Sequence, residues 1–279
     1  MENPQLGASE WAVLDAALRF VEELADDLRP WLLDRFGRQQ AEVKDDGTLV
    51  TDADVKADER IAEALGERFP EHEVVSEELG TAFQGGAWCW VVDPIDGTTN
   101  FVQGNPNWTI SIGLAYEGRP VLGLVDAPAL DARYRTVASR GAVAGKETFH
   151  QGDRLAVSDV DWSEPGRVEN ALLGLSSALG RSYVLEKPLK PRVLGCESLH
   201  LASVAQGALV ASMHAGVHVW DVAAGILLVL EAGGVVVAVS GEGPFPMRPG
   251  EDQAGRDLGF VAAASEHTAR QVIAAIRRP

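Results

Sequence analysis

The run Trp90-Val91-Val92-Asp93-Pro94-Ile95-Asp96-Gly97-Thr98-Thr99-Asn100-Phe101 holds the residues best suited to chemistry. An apolar stretch delivers Asp93, and Pro94, which donates no backbone hydrogen bond, ends the strand there. Asp93 and Asp96 can then project into a common space with the Ile95 carbonyl between them. Hard cations such as Mg²⁺ take oxygen ligands and keep several waters, so this donor set suits them. Gly97 and Thr98 follow with backbone amides of the kind that cradle phosphate. Asp-Pro and Asp-Gly pairs also form ordinary turns, so the run by itself does not make a site.

Three further acidic pieces support it. Glu77, in Val75-Ser76-Glu77-Glu78, follows a short apolar stretch. Asp52 and Asp54 open a helical segment, and Asp221 sits in the first turn of another, Val219-Trp220-Asp221-Val222-Ala223-Ala224-Gly225. Each has a plain reading, as a solvated turn or a helix cap. Four such pieces in one chain point to cation-assisted chemistry on an anion.

The elements that must carry them follow from periodicity. Ser9 is the expected cap of a first helix with Trp11, Leu14, Leu18, Val21, Ala25 and Leu28 on one face, kinked at Pro30. Asp52 is the expected cap of a second, bearing Ile61, Leu65 and Phe69. Val74-Val75, Trp88–Val92, Trp108–Ala115, Val121–Val125 and Tyr134–Ala138 read as strands joined by hairpin turns, hence an antiparallel sheet. Beyond it, short strands at Ala171–Leu175, Arg192–Leu194, Val235–Val239 and Phe260–Ala263 alternate with helices at Ser198–Ala205, Val222–Glu231 and Thr268–Ile276. The organisation expected is an α+β, metal-binding half over residues 1–150 and a mixed α/β half over 151–279. The two halves pack as one unit, with the boundary in the polar stretch around Gly145 to Asp153.

Composition narrows the partners. The chain has 279 residues and a formal charge of −17, from 41 acidic against 24 basic residues. Such a surface repels nucleic acid and anionic membranes, and an anionic substrate would need cations beside it. Cys89 lies in an apolar run and reads as core, so no disulfide framework is expected. With neither a signal peptide nor a membrane span, the expected location is the cytoplasm.

Together these pieces resemble the inositol monophosphatase family of lithium-sensitive, magnesium-dependent phosphatases, from about Lys44 to Gly234. The resemblance implies a layered α/β/α/β/α sandwich that hydrolyses a small phosphorylated metabolite, with a homodimer as the assembly. It implies two or three Mg²⁺ ions, replaceable by Mn²⁺, held by Glu77, Asp93, the Ile95 carbonyl, Asp96 and Asp221. Asp54, Thr98 and Glu77 are the implied catalytic residues, Asp54 and Thr98 positioning the attacking water. Asp96, Gly97 and Thr98 are the implied phosphate contacts, and Gly195, Cys196, Glu197 and His214 the implied substrate residues.

Two positions depart from the family pattern. His214 stands where the family carries a glutamate that binds a sugar hydroxyl, seven residues before Asp221. An imidazole still bonds a hydroxyl, but cannot accept twice. Glu197 replaces the usual alanine; it either grips a hydroxyl or amine of the substrate or faces solvent at a helix start. Cys196 has no adjacent base and is no nucleophile, and His218 is structural. A sugar or polyol phosphate is therefore the expected substrate class. Histidinol phosphate, a nucleotide 3′-phosphate, or a regulatory binding role on the same fold are the alternatives. A calcium-binding module is excluded, because its loop pattern is absent.

Overall fold

The computed structural model describes residues 4–44, 47–145, 152–182, 184–239, 243–256 and 258–277. The chain opens with α1 (Ala8–Arg35), a hairpin of β1 (Ala41–Val43) and β2 (Leu49–Thr51), and α2 (Asp52–Arg68). Next come β3 (Glu73–Ser76), β4 (Ala82–Phe83), β5 (Trp88–Asp96), the short α3 (Thr98–Gln103), β6 (Thr109–Tyr116) and β7 (Arg119–Ala127). The strands β8 (Ala132–Val137), β9 (Gly141–Ala144) and β10 (Asp153–Arg154) complete the first sheet, in the order β10-β9-β8-β7-β6-β5-β3. It is antiparallel except where β3 pairs with β5.

The second half contains α4 (Pro165–Val168), β11 (Leu172–Leu175), α5 (Ser177–Ser182), β12 (Val184–Leu185), β13 (Lys190–Arg192) and α6 (Glu197–Ala205). It continues with β14 (Ala211–Val217), α7 (Val219–Glu231), β15 (Val235–Ala238), β16 (Glu251–Asp252), β17 (Leu258–Ala263), α8 (Glu266–Ala275) and β18 (Ile276–Arg277). A mixed five-stranded sheet runs β13-β11-β14-β17-β15.

Strand alternation sorts the side chains into layers. Trp90 and Val92 of β5 join a core with α1 and α2, while Cys89 and Val91 face α6 and α7. Phe260 and Ala262 of β17 meet the same two helices from the other side, and Val261 and Ala263 turn outward to α8. The result is the expected α/β/α/β/α sandwich, with α6 and α7 as the middle layer. Residues 146–151, where the boundary between halves was expected, lie outside the described residues.

Several element ends differ from expectation. Thr51, not Asp52, caps α2: its hydroxyl accepts from the Ala53 amide, and Asp54 returns the bond to the Thr51 amide at 2.8 Å. A capping box needs the acid at the third helical position, and Asp54 occupies it. Gly7 rather than Ser9 precedes α1, with Glu10 accepting from its amide, and the helix runs through Pro30 to Arg35. The strand expected to reach Leu194 ends at Arg192, because the Leu194 amide donates to the His200 ring instead.

The middle layer packs on glycines. A Cβ on Gly225 of α7 would lie 2.6 Å from Leu201 Cβ of α6, and one on Gly123 would lie 2.8 Å from the Ala224 carbonyl. Gly225→Ala therefore forces α6 and α7 apart despite its better helix propensity. Its thermal midpoint is expected to fall by about 2–6 °C; a midpoint at or above wild type in a melting curve would refute this close crossing.

Candidate active site

The site starts from an irregularity in β5. Asp93 pairs with Ser111 and Asp96 with Thr109, so β5 spends one more residue than β6 between these two pairs. In a regular strand, residues three apart point to opposite faces; the inserted residue of a bulge restores a common side. Asp93 and Asp96 accordingly line one cavity of about 550 Å³. Asp93 Oδ1 accepts from the Ile95 amide at 3.0 Å, which fixes its direction. Gly97 then adopts φ 92°, and a Cβ there would come 3.0 Å from the Gly195 carbonyl and 3.1 Å from that of Asn107. Only glycine meets both demands. Asn100 Nδ2 ties the loops together by donating to the carbonyls of Asn107 at 2.6 Å and Leu194 at 2.8 Å.

Four other elements bring acids to this cavity. Glu77, after β3, and Asp221, in the first turn of α7, line it directly. Asp54 of α2 is buried behind Thr98, whose hydroxyl donates to Asp54 Oδ1 at 2.9 Å. Glu197, at the start of α6, lines the cavity from the far side. Each inner acid is held by the protein through at least one oxygen. Asp221 Oδ2 accepts from the His218 amide at 2.7 Å, Glu77 Oε1 from Lys44 at 2.8 Å, and Asp54 Oδ2 from the Thr51 amide. Asp96 Oδ2 accepts from both the Ser198 amide and hydroxyl at 2.6 Å, and Oδ1 from the Glu197 amide at 3.1 Å.

Burial and mutual repulsion leave these acids uncomfortable. Burial, then the charges of Glu77, Asp96 and Asp221, push Asp93 well above the usual carboxylate range. Burial and the charge of Asp96 do the same to Asp221, and Glu77 is pushed up to about 7 by burial in spite of Lys44. Burial also raises Asp54, against the hydrogen bonds from Thr51 and Thr98. Among the described residues no three acidic, histidine or cysteine side chains already converge at metal-ligand distance. Glu77, Asp93, Asp96 and Asp221 line a shared cavity as all-oxygen donors, a set that fits hard cations.

Of the residues singled out in the sequence, Glu77, Asp93, Ile95, Asp96, Gly97, Thr98, Gly195, Glu197 and Asp221 line this one cavity. Three expectations need correction. His214 is fully buried and does not line the cavity; its Nδ1 lies 2.6 Å from Glu197 Oε2, so it cannot bond a substrate hydroxyl directly. Cys196 is buried too, and donates to Asp96 Oδ2 at 3.2 Å rather than facing substrate. Asp96 as an ionised group offers only acceptors, which repel phosphate oxygens, so it does not suit the direct phosphate contact expected of it.

Sequence reasoning missed Lys44, which bridges Glu77 and Glu78, and Asp58, which is buried one helical turn after Asp54. Asp58 Oδ2 accepts from the Glu78 amide at 2.9 Å and so anchors the loop that presents Glu77. The spacing of Asp54 and Asp58 on one helix face was the available signal. His200 and Ser198 were also missed, and nothing in their spacing marks them.

The inositol monophosphatase family profile matches residues 12–278. The chain is 33% identical over 248 residues to the inositol-1-monophosphatase of Mesorhizobium japonicum, covering 86% of this chain and 87% of that one. It is 36% identical over 225 residues to the histidinol-phosphatase of Mycobacterium tuberculosis, covering 74% and 81% respectively. Among solved structures, the IMPase of Thermotoga maritima superposes with a TM-score of 0.76 at 28% identity, over 93% of this chain and 96% of that one. Its sequence match, its five-layered fold and its shared acidic cavity agree, and the chain belongs to the inositol monophosphatase family of phosphatases.

Proposed function

We propose that this phosphatase hydrolyses a small sugar or polyol phosphate with the help of divalent cations, magnesium foremost. The observation that carries the reading is the crowding of Glu77, Asp93, Asp96 and Asp221 on one cavity with raised proton affinity. These carboxylates and the Ile95 carbonyl would hold the cations, which neutralise a phosphate dianion and make water a better nucleophile when bound.

The remaining work falls to groups of the chain itself. The Thr98 hydroxyl donates to Asp54, with the Ile95 carbonyl 3.2 Å away, so its lone pairs are what it offers a water in the cavity. Asp54, locked by the Thr51 amide and hydroxyl, holds Thr98 in that orientation and accepts the displaced proton. Amides at the start of α3 have no acceptor within their own helix and orient the phosphate oxygens. No aromatic ring lines the cavity among the described residues, which disfavours an adenine-bearing substrate. The activities for which two relatives are named, inositol-1-monophosphatase and histidinol-phosphatase, mark the range of alcohol groups to test.

The direct experiment is phosphate release from inositol 1-phosphate, fructose 1,6-bisphosphate, histidinol phosphate and adenosine 3′,5′-bisphosphate, with and without magnesium. Magnesium-dependent turnover of a small ester is expected; none from any compound would defeat the reading. Asp93→Asn is expected to abolish that turnover and the magnesium-induced rise in melting temperature while the protein stays folded. Turnover that survives the change would remove Asp93 from the cation site. Thr98→Val should lower kcat by about 10²–10⁴-fold while magnesium still raises the melting temperature; an unchanged kcat would dismiss the Thr98–Asp54 pair.

Acids raised on folding bind more protons folded than unfolded, so they favour the native state at low pH. For Glu77, that stability is lost as pH rises from its ordinary 4.5 through about 7. Cations replace those protons, so magnesium should raise the melting temperature more at about pH 8 than at about pH 6. Equal shifts at both would show that the raised acids do not meet the cation.

A further inference from the structure

Beyond the acid cluster, the cavity continues along a wall of small residues, including Ala178, Ala215, Gly216 and Val217. Ser176 lines it as well, but its hydroxyl is engaged with the Ala215 backbone, donating to the carbonyl at 3.2 Å and accepting from the amide at 3.3 Å. No lysine, arginine or histidine lines the cavity among the described residues. Among the described residues, Glu197 is the one charged side chain lining the cavity apart from Glu77, Asp93, Asp96 and Asp221, and it is 9% exposed.

Glu197 is not loose. Its Oε2 lies 2.6 Å from His214 Nδ1 and 3.7 Å from His200 Nδ1. His200 Nε2 accepts from the Leu194 amide at 3.1 Å, so a neutral His200 carries its proton on Nδ1, the nitrogen nearer Glu197. That Nδ1 is buried and has no hydrogen-bond partner. His214 is itself fixed, with Nε2 2.8 Å from the Ser212 hydroxyl and its ring stacked on Phe260 at 4.6 Å and 14°. Burial pushes Glu197 up, yet the neighbouring imidazoles of His200 and His214 outweigh it and hold the carboxyl at about 2. Glu197 Oε1, the other oxygen, takes no hydrogen bond from the described residues and is left to the cavity.

We propose that Glu197 is the specificity-determining residue of this enzyme, receiving a hydrogen-bond donor on the alcohol part of the substrate. His214 and His200 are the positioning residues that aim its carboxylate. A carboxylate only accepts, so the matching group is a hydroxyl or an ammonium, and an alkyl phosphate without donors would leave it buried and unpaired. The inference rests on the phosphatase reading and adds the chemistry of the leaving alcohol to it.

The test compares three esters of similar size: inositol 1-phosphate, histidinol phosphate and cyclohexyl phosphate, which has no donor on its alcohol part. Turnover is measured with magnesium, and calorimetry follows binding of each ester to the inactive Asp54→Asn protein, with and without the second change. Glu197→Gln is isosteric and leaves the backbone amide that serves Asp96 in place. It should raise KM and weaken binding about 10–100-fold for the preferred donor-bearing ester, with kcat and the cyclohexyl ester nearly unaffected. Which of the first two esters responds separates a hydroxyl from the nitrogen-borne donors of histidinol, its ammonium and imidazole N–H. His214→Phe should reproduce part of that loss, and His214→Gln, which keeps a donor, should recover some of it. An equal loss for the cyclohexyl ester would make Glu197 a support of Asp96 and overturn the proposal, as would no change for any ester. Binding preferences that respond to Glu197→Gln without any phosphate release would retain Glu197 and defeat the phosphatase reading. No binding of any ester would defeat both.

Discussion

Like charges in a confined space set the terms for this structure. Glu77, Asp93, Asp96 and Asp221 share one cavity, with Asp54 close behind, and burial strips away the water that would screen them. An unconstrained set of carboxylates would swing apart or protonate. The fold prevents the first by giving each acid a donor from a different element: the Thr51 amide, Lys44, the Ile95 amide, the α6 amides and the His218 amide. These bonds consume one oxygen of Glu77, Asp93 and Asp221 and both oxygens of Asp54 and Asp96, so none of the acids is free to turn away from its neighbours. Repulsion is thereby retained in the folded protein as affinity for positive charge.

The layers follow from that need. The acids sit on α2, the β3 loop, β5 and α7, which belong to three successive layers of the sandwich. Their heads reach one cavity because α7 lies close against the first sheet, over Gly113 and Gly123, and α6 lies close against α7 at Gly225. The start of α6 is pinned in turn by Asp96 through the Glu197 and Ser198 amides. A shift of either helix by the width of a methyl group would therefore move the site as well as the core.

Much of this was legible in the sequence, and the reasons differ from residue to residue. Asp93, Asp96 and Gly97 could be read because an apolar strand, a proline and a glycine fix the backbone locally. Asp221 could be read from helical periodicity. The bulge that turns Asp93 and Asp96 to one side could not, since it depends on pairing with Ser111 and Thr109 in the next strand. Thr51 was passed over because Asp52 is an equally good cap by residue type, and only the reciprocal bond from Asp54 decides between them. His214 and Cys196 were placed at the cavity because resemblance gives position along the chain and not the depth of a side chain. Burial of His214 follows from its stacking on Phe260, which lies 46 residues further along and in another strand.

The bond between Asp96 and Ser198 spans 102 residues of chain. Long-range contacts of that kind form late, because the loop they close must be ordered first. During synthesis the first sheet emerges with its aspartates, while α6 and α7 are still to come. Asp221 comes from the second half of the chain, so the crowding of the acids is complete only once α7 has docked on the first sheet.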